Sequence, residues 1–347
     1  MDRDLLYYES FMLILIISLL GYLLWKYIEK PFQYITNKYG YILIFFVSLL
    51  LFTTATYQKS RKIEDFQLNK TIKRYLSYRY DNNPKGKICR TSNQIIKPDE
   101  ACTYLENNNT DPSIVLWGDS HMDQIALPLS NELNSYGYSV VEFTVAGCPP
   151  LANIDVPLKV RKCYNNNLII MDHIIKDTKY KDIILFAYWN YYIQNNHIEL
   201  KIDKTFEEIL GITIEKLQKN GKRVHIIYPT PKMFVNPPFH KARLEKILPD
   251  NNITIRLSQE DYKKQSLKII QILDNNYNKY HFNKINLSKY LFSNDFYVAN
   301  NQDVVFYRDD NHLSTRGGGR LVAKGIAKQI LKGIQREPKS KNYKIYN

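Results

Sequence analysis

Cysteine is scarce, with four residues in 347, at positions 89, 102, 148 and 163. None belongs to a Cys-x-x-Cys pair and no histidines stand at finger spacing, which excludes a zinc-finger module and gives no reason to expect a metal. Acidic residues are also in deficit, 34 against 48 Lys and Arg, and the net charge is +14. Such an excess suits polyanions: nucleic acid, anionic lipid headgroups or acidic polysaccharide. The basic residues are scattered, however, with no RNP motif, finger spacing or basic heptad region to present them to a groove, so nucleic-acid binding is not expected. No internal repeat is present, which excludes an array of stacked repeats. The leading segment lacks the basic start of a secretory signal, since Asp2, Asp4 and Glu9 outweigh Arg3.

Long hydrophobic runs are present near the start. Phe11 to Trp25 reads "FMLILIISLLGYLLW", with Tyr7, Tyr8 and Tyr27 around it, and Tyr39 to Tyr57 reads "YGYILIFFVSLLLFTTATY" without a charge. A hydrocarbon core needs about twenty apolar residues in a helix, so two such runs separated by the charged connector "KYIEKPFQYITNK" predict a membrane hairpin over 1–60. Lys26, Lys30 and Lys38 favour a cytoplasmic connector and place the rest of the chain outside. Lys59, Arg61, Lys62, Lys70, Lys73 and Arg74 favour the opposite orientation. The cysteines fall into two close pairs, and disulfides Cys89–Cys102 and Cys148–Cys163 would suit an oxidising compartment and the outside orientation. Four unpaired buried thiols are the alternative.

With 44% hydrophobic and 24% charged residues, the remainder is ordinary globular material. Residues 61–110 are polar and irregular, with "YDNNPKGK" as a turn cluster, and read as a linker and lead-in. Over 111–335, short β-rich runs alternate with helical stretches, the pattern of a parallel sheet covered by helices. Four strands are expected at Ser113–Leu116, Ser139–Val145, Asp182–Phe186 and Arg223–Tyr228, each ending in a turn. In open α/β sheets, sites collect beyond the carboxyl ends of the strands. Residues 232–300 show helical hints and no clear strand. A last helix, "RLVAKGIAKQILKGI", is capped by Ser314 or Thr315, and 336–347 is a basic tail.

The stretch "VLWGDSHMDQ", residues 115–124, places Ser120 after a strand and before a helix-forming segment. A serine hydroxyl needs a base to take its proton, and the base needs a third group to hold its tautomer. His312 in "DDNHLS" supplies a base, and Asp309, three residues before it, supplies an orienting carboxylate, with Asp310 as its rival.

"GDSH" after the first strand, "AGCPPL" after the second, a Trp-containing loop after the third and "DDNHLS" before the last helix together resemble the SGNH esterase and acyltransferase domain. More narrowly, they resemble the version fused behind membrane acyltransferases of family three, and "YIEKPF" is similar to the end of that membrane domain. The resemblance implies a three-layer, flavodoxin-like α/β domain with a mainly parallel sheet, here preceded by two transmembrane helices. It implies Ser120 as nucleophile, His312 as base and Asp309 as its partner. The oxyanion hole would come from the N–H groups of Ser120 and Gly147 and from the "AYWNYY" loop. In that loop the family's Asn aligns with Trp189, and Asn190 stands one place later. His121 matches the fused subgroup.

The family's membrane domain has many more spans, so the acyl group, acetyl from acetyl-CoA, would come through a partner multi-span membrane acyltransferase, or else the chain is a truncated remnant. The expectation is a bilayer-anchored O-acyltransferase of a cell-envelope glycan, with its SGNH domain outside the bacterial inner membrane and no cofactor of its own. An esterase using the same three residues, or an idle glycan-binding domain, is the alternative.

Overall fold

The computed structural model describes residues 70–105, 112–156, 162–194, 197–250 and 252–335, with short pieces between 15 and 53. Two compact units divide at Lys70. The two apolar runs expected to span a membrane lie largely outside the described residues, as does the basic tail over 336–347. Among the described residues no helix is long and apolar enough to cross a membrane.

The second unit is built on one sheet in which β1 (Arg90–Thr91), β4 (Val140–Val145), β3 (Ile114–Gly118), β5 (Asp182–Phe186), β6 (Arg223–Ile227) and β7 (Asn283–Ile285) lie side by side in that order. All of these neighbours pair in parallel. β2 (Cys102–Tyr104) adds an antiparallel edge on β4. Four of the strands are those expected, and each is buried along almost its whole length, as a sheet covered on both faces requires. β7 was not expected. It is three residues long, too short for a hydrophobic period to register, and it is defined by pairing with β6.

Successive side chains of a strand point to opposite faces, and the two cores follow that period. Val115, Trp117, Ile183, Leu185, Val224 and Ile226 face one core. There they meet α3 (Cys163–Lys176), α4 (Phe206–Lys219) and, after α5 (Pro237–Ile247) in the chain, α6 (Gln259–Tyr280). Ile114, Leu116, Ile184, Phe186, Ile227 and Ile285 face the other, against α2 (Ser120–Asn134) and α7 (Arg320–Gln335). The result is a three-layer α/β fold with a mainly parallel sheet.

Residues 61–110 were read as a linker, yet from Thr71 onward they belong to the second compact unit. Helix α1 (Lys70–Ser77) buries Ile72 and Tyr75, and the Tyr75 hydroxyl donates to the Gln302 carbonyl at 2.7 Å. Polar composition disguised a segment that buries Ile72, Tyr75, Tyr78, Ile96 and Tyr104. Both disulfides are formed, Cys89–Cys102 beside β1 and β2 and Cys148–Cys163 between the β4–α3 loop and the start of α3.

Candidate active site

The turn between β3 and α2 carries Gly118, Asp119, Ser120 and His121. Gly118 is the close-approach position, since a Cβ there would overlap the Phe186 carbonyl oxygen. Asp119 is the N-cap of α2: its Oδ1 accepts the His121 N–H at 2.8 Å. Ser120 is therefore the first residue of α2, where N–H groups lack intrahelical acceptors and the helix dipole is positive.

His312 and Asp309 arrive on the loop before α7. Ser120 Oγ lies 2.8 Å from His312 Nε2. Asp309 Oδ2 lies 2.9 Å from His312 Nδ1, while Oδ1 accepts the backbone N–H groups of His312 at 2.7 Å and Asn311 at 3.0 Å. These bonds place a proton on Nδ1 and leave the Nε2 lone pair for the serine hydroxyl, which donates to it. Burial alone would raise the Asp309 carboxyl, but the hydrogen bonds and charge of His312 outweigh it and hold the group well below the usual carboxylate range. Burial pushes the His312 imidazole below its ordinary value, with the nearby His121 ring adding to the effect and Asp309 opposing it. Asp310, the rival carboxylate, faces elsewhere: Oδ1 accepts the Asn311 amide at 2.6 Å and Oδ2 pairs with Lys232 Nζ at 3.3 Å.

Gly147 sits in the loop after β4 with φ of +70°, a left-handed backbone that glycine adopts freely, and among the described residues its N–H has no acceptor. The Cys148–Cys163 bridge begins at the next residue. The loop after β5 carries Trp189 and Asn190. The short helix Trp189–Tyr192 turns the Trp189 ring into the core, where Nε1 donates to the Ile227 carbonyl at 2.9 Å. Asn190 is buried in the same short helix, and its Nδ2 donates to Ser266 Oγ on α6 at 3.3 Å.

Sequence reading missed two supports. Asp119 is buried, and its Oδ2 accepts the Tyr188 N–H at 3.0 Å and the Tyr192 hydroxyl at 2.7 Å, tying the third loop to the serine turn. Burial would raise this carboxyl too, but its bonds to His121, Tyr188 and Tyr192 bring it below the usual value. The second support is Asp81, Asn82 and Asn83, from the cluster read only as a turn. Asp81 accepts Arg316 N–H at 2.8 Å and Arg316 Nε at 3.0 Å, beyond the far end of the His312 loop. Asn82 accepts from Arg308, whose Nε lies 3.4 Å from Asp309 Oδ2. Asn83 donates to Asp123 Oδ1 at 3.0 Å, one turn along α2 from Ser120. Arg90 pairs with the other Asp123 oxygen at 2.6 Å, next to the Cys89–Cys102 bridge. These side chains brace the serine helix and the histidine loop from one short segment.

A serine opening the first strand–helix turn of a three-layer α/β domain, with a His–Asp loop returning to it, describes a domain of the acyl hydrolase and acyltransferase class. The chain belongs to the SGNH domain family, in the form fused to AT3 domains, whose family model matches residues 88–325. Among solved structures it is similar to the periplasmic domain of the lipopolysaccharide acetyltransferase of Salmonella ser. Paratyphi A. That likeness has 20% identity and a TM-score of 0.54, covering 74% of this chain and 97% of that one. The acetyl xylan esterase AlAXEase is similar at 19% identity with a TM-score of 0.37, covering 64% of this chain and 99% of that one. Among curated proteins, none matches the chain.

Proposed function

We propose that this chain is a membrane-anchored O-acyltransferase, transferring acetyl groups to a cell-envelope polysaccharide outside the bacterial inner membrane. The observation that carries the reading is the line from Ser120 Oγ through His312 to Asp309, with separations of 2.8 and 2.9 Å. In this reading Ser120 Oγ bonds to the carbonyl carbon of the acyl donor while His312 Nε2 takes its proton. The N–H groups of Ser120 and Gly147 hold the oxyanion. Collapse breaks the bond to the donor's leaving group, which takes the proton from His312. A glycan hydroxyl then gives its proton to His312 and forms the new ester as the Ser120 acyl bond breaks, and the proton returns to Oγ.

Three further features support the setting. The disulfides suit an oxidising compartment. The family to which the chain belongs is fused to AT3 domains, and a partner multi-span membrane acyltransferase would bring the acetyl group from acetyl-CoA to this domain, which needs no cofactor of its own. The two apolar runs near the start would anchor the chain in the bilayer.

The test combines two measurements on the full chain in its membrane. A fluorophosphonate probe is expected to label the wild type and not Ser120→Ala. In cells, Ser120→Ala is expected to lower the O-acetyl content of the envelope glycan. A rise in O-acetyl content would reassign the chain as an esterase, and absence of labelling in the folded wild type would overturn the reading.

A further inference from the structure

The mechanism above leaves His121 unused, although it follows the nucleophile directly. Its ring is layered between two others. It stacks on Tyr188 with centroids 4.8 Å apart and on His312 at 4.3 Å, with Phe186 edge-on at 6.1 Å. The side chain is 3% exposed, and neither ring nitrogen has a hydrogen-bond partner among the described residues. Leaving a buried polar group unpaired is costly, and an apolar ring would fill the same slot without that cost. Both nitrogens are covered, so the ring does not reach substrate. What it touches is the base.

Two charges stacked at this distance would repel strongly, so the neighbouring ring disfavours a proton on His312. The charged groups around the pair are few. On the His121 side the Asp119 carboxylate lies 3.6 Å from Nδ1. On the His312 side stand Asp309 and Arg308, and the Tyr188 hydroxyl is kept neutral by burial and by the charges of Asp310 and Asp309, which raise it to about 12. We propose that His121 is a positioning residue for His312: its buried ring fixes the plane of the base and, stacked against it, disfavours a proton on it. His312 thereby stays an unprotonated base further into the acid range than an isolated Asp–His pair would. The proposal rests on the reading of His312 as the base for Ser120.

The test uses the full chain and p-nitrophenyl acetate as acyl donor, with turnover followed across pH. His121→Phe keeps a stacked ring and removes the imidazole nitrogens. It is expected to retain kcat at pH 8 within about threefold and to move the acid limb of kcat/KM upward by about one pH unit. His121→Asn removes the stack as well, and kcat is expected to fall about tenfold with KM unchanged. An acid limb in His121→Phe coincident with the wild type would overturn the proposal. If the variants fail to fold, histidine-ring NMR of the wild type decides: a His312 titration in two coupled steps supports it and a single-site curve overturns it. Ser120→Ala keeps the two failures apart, because full turnover in that variant would sink the triad itself.

Discussion

Two Asp–His pairs stand at opposite ends of the same sheet, and both have a separation of 2.9 Å. At the amino ends of the strands, Asp182 Oδ1 accepts from His225 Nε2, and Arg223 adds two bonds to the carboxylate at 2.7 and 2.8 Å. The other ring nitrogen, Nδ1, accepts from the Asn283 amide at 2.8 Å, and the ring is 0% exposed. Every polar atom of that imidazole is used. At the carboxyl ends, His312 spends only Nδ1 on its aspartate and turns Nε2 to a hydroxyl. The pair alone therefore does not define a site. The partner of the remaining nitrogen does, together with placement at the strand ends where loops and helix N-termini gather.

Breaking each pair should separate the two roles. Ser120→Ala or His312→Ala is expected to lower acyl turnover by about ten-thousandfold, with the unfolding temperature little changed. His225→Ala should do the reverse. It empties a fully buried ring site and takes one bond from each of Asp182 and Asn283, which keep Arg223 and the Gln329 carbonyl, and is expected to cost about 3 kcal/mol, read as a lower urea midpoint. Activity per folded molecule should persist. A His225→Ala chain that folds normally but loses turnover would erase the contrast. The carboxylates sharpen it further. Asp309→Asn removes the acceptor that sets the His312 tautomer, so turnover should fall by about a hundredfold or more, whereas Asp310→Asn, on a lysine and an amide, should change it less than about twofold. Probe labelling of the two variants checks the assignment.

That Ser120, His312 and Asp309 come within hydrogen-bond reach was legible because each lies on a motif whose local geometry is encoded nearby. Asp309 and His312 stand three positions apart in one turn, and Ser120 follows a β-rich run and opens a helix-forming one. The four long strands were legible for the same reason, their hydrophobic runs being self-contained. What escaped is long-range. Asn82 reaches Arg308 across 226 positions and Asp81 reaches Arg316 across 235, and no local pattern in "YDNNPKGK" distinguishes a brace from a solvated turn. Asn190 was placed by alignment to the end of β5, and its bond to Ser266 on α6, 76 positions away, is of the same long-range kind.

The smallest expected effect is on stability against pH, and it distinguishes the two histidine ends once more. His312 has a lowered pKa in the folded state, so the unfolded chain takes up its proton at higher pH. Falling pH therefore favours unfolding, beginning near the ordinary histidine value of about 6.5. Asp309 and Asp182 are also lowered in the folded state, which gives stability fully present above about pH 4 and lost as pH falls through their folded values. Between pH 7 and 5 His312 thus contributes to the loss, together with His173 and His240, which burial also lowers, and below pH 4 both carboxylates contribute. For Asp309, which is 30% exposed, solvent screening reduces the contribution to about 1 kcal/mol. Urea titrations of the wild type and His312→Gln at pH 7 and pH 5 should show the wild type losing stability over that interval and the variant losing less. Equal losses would place the titrating group elsewhere and remove His312 from the buried, proton-poor setting on which its role as base depends.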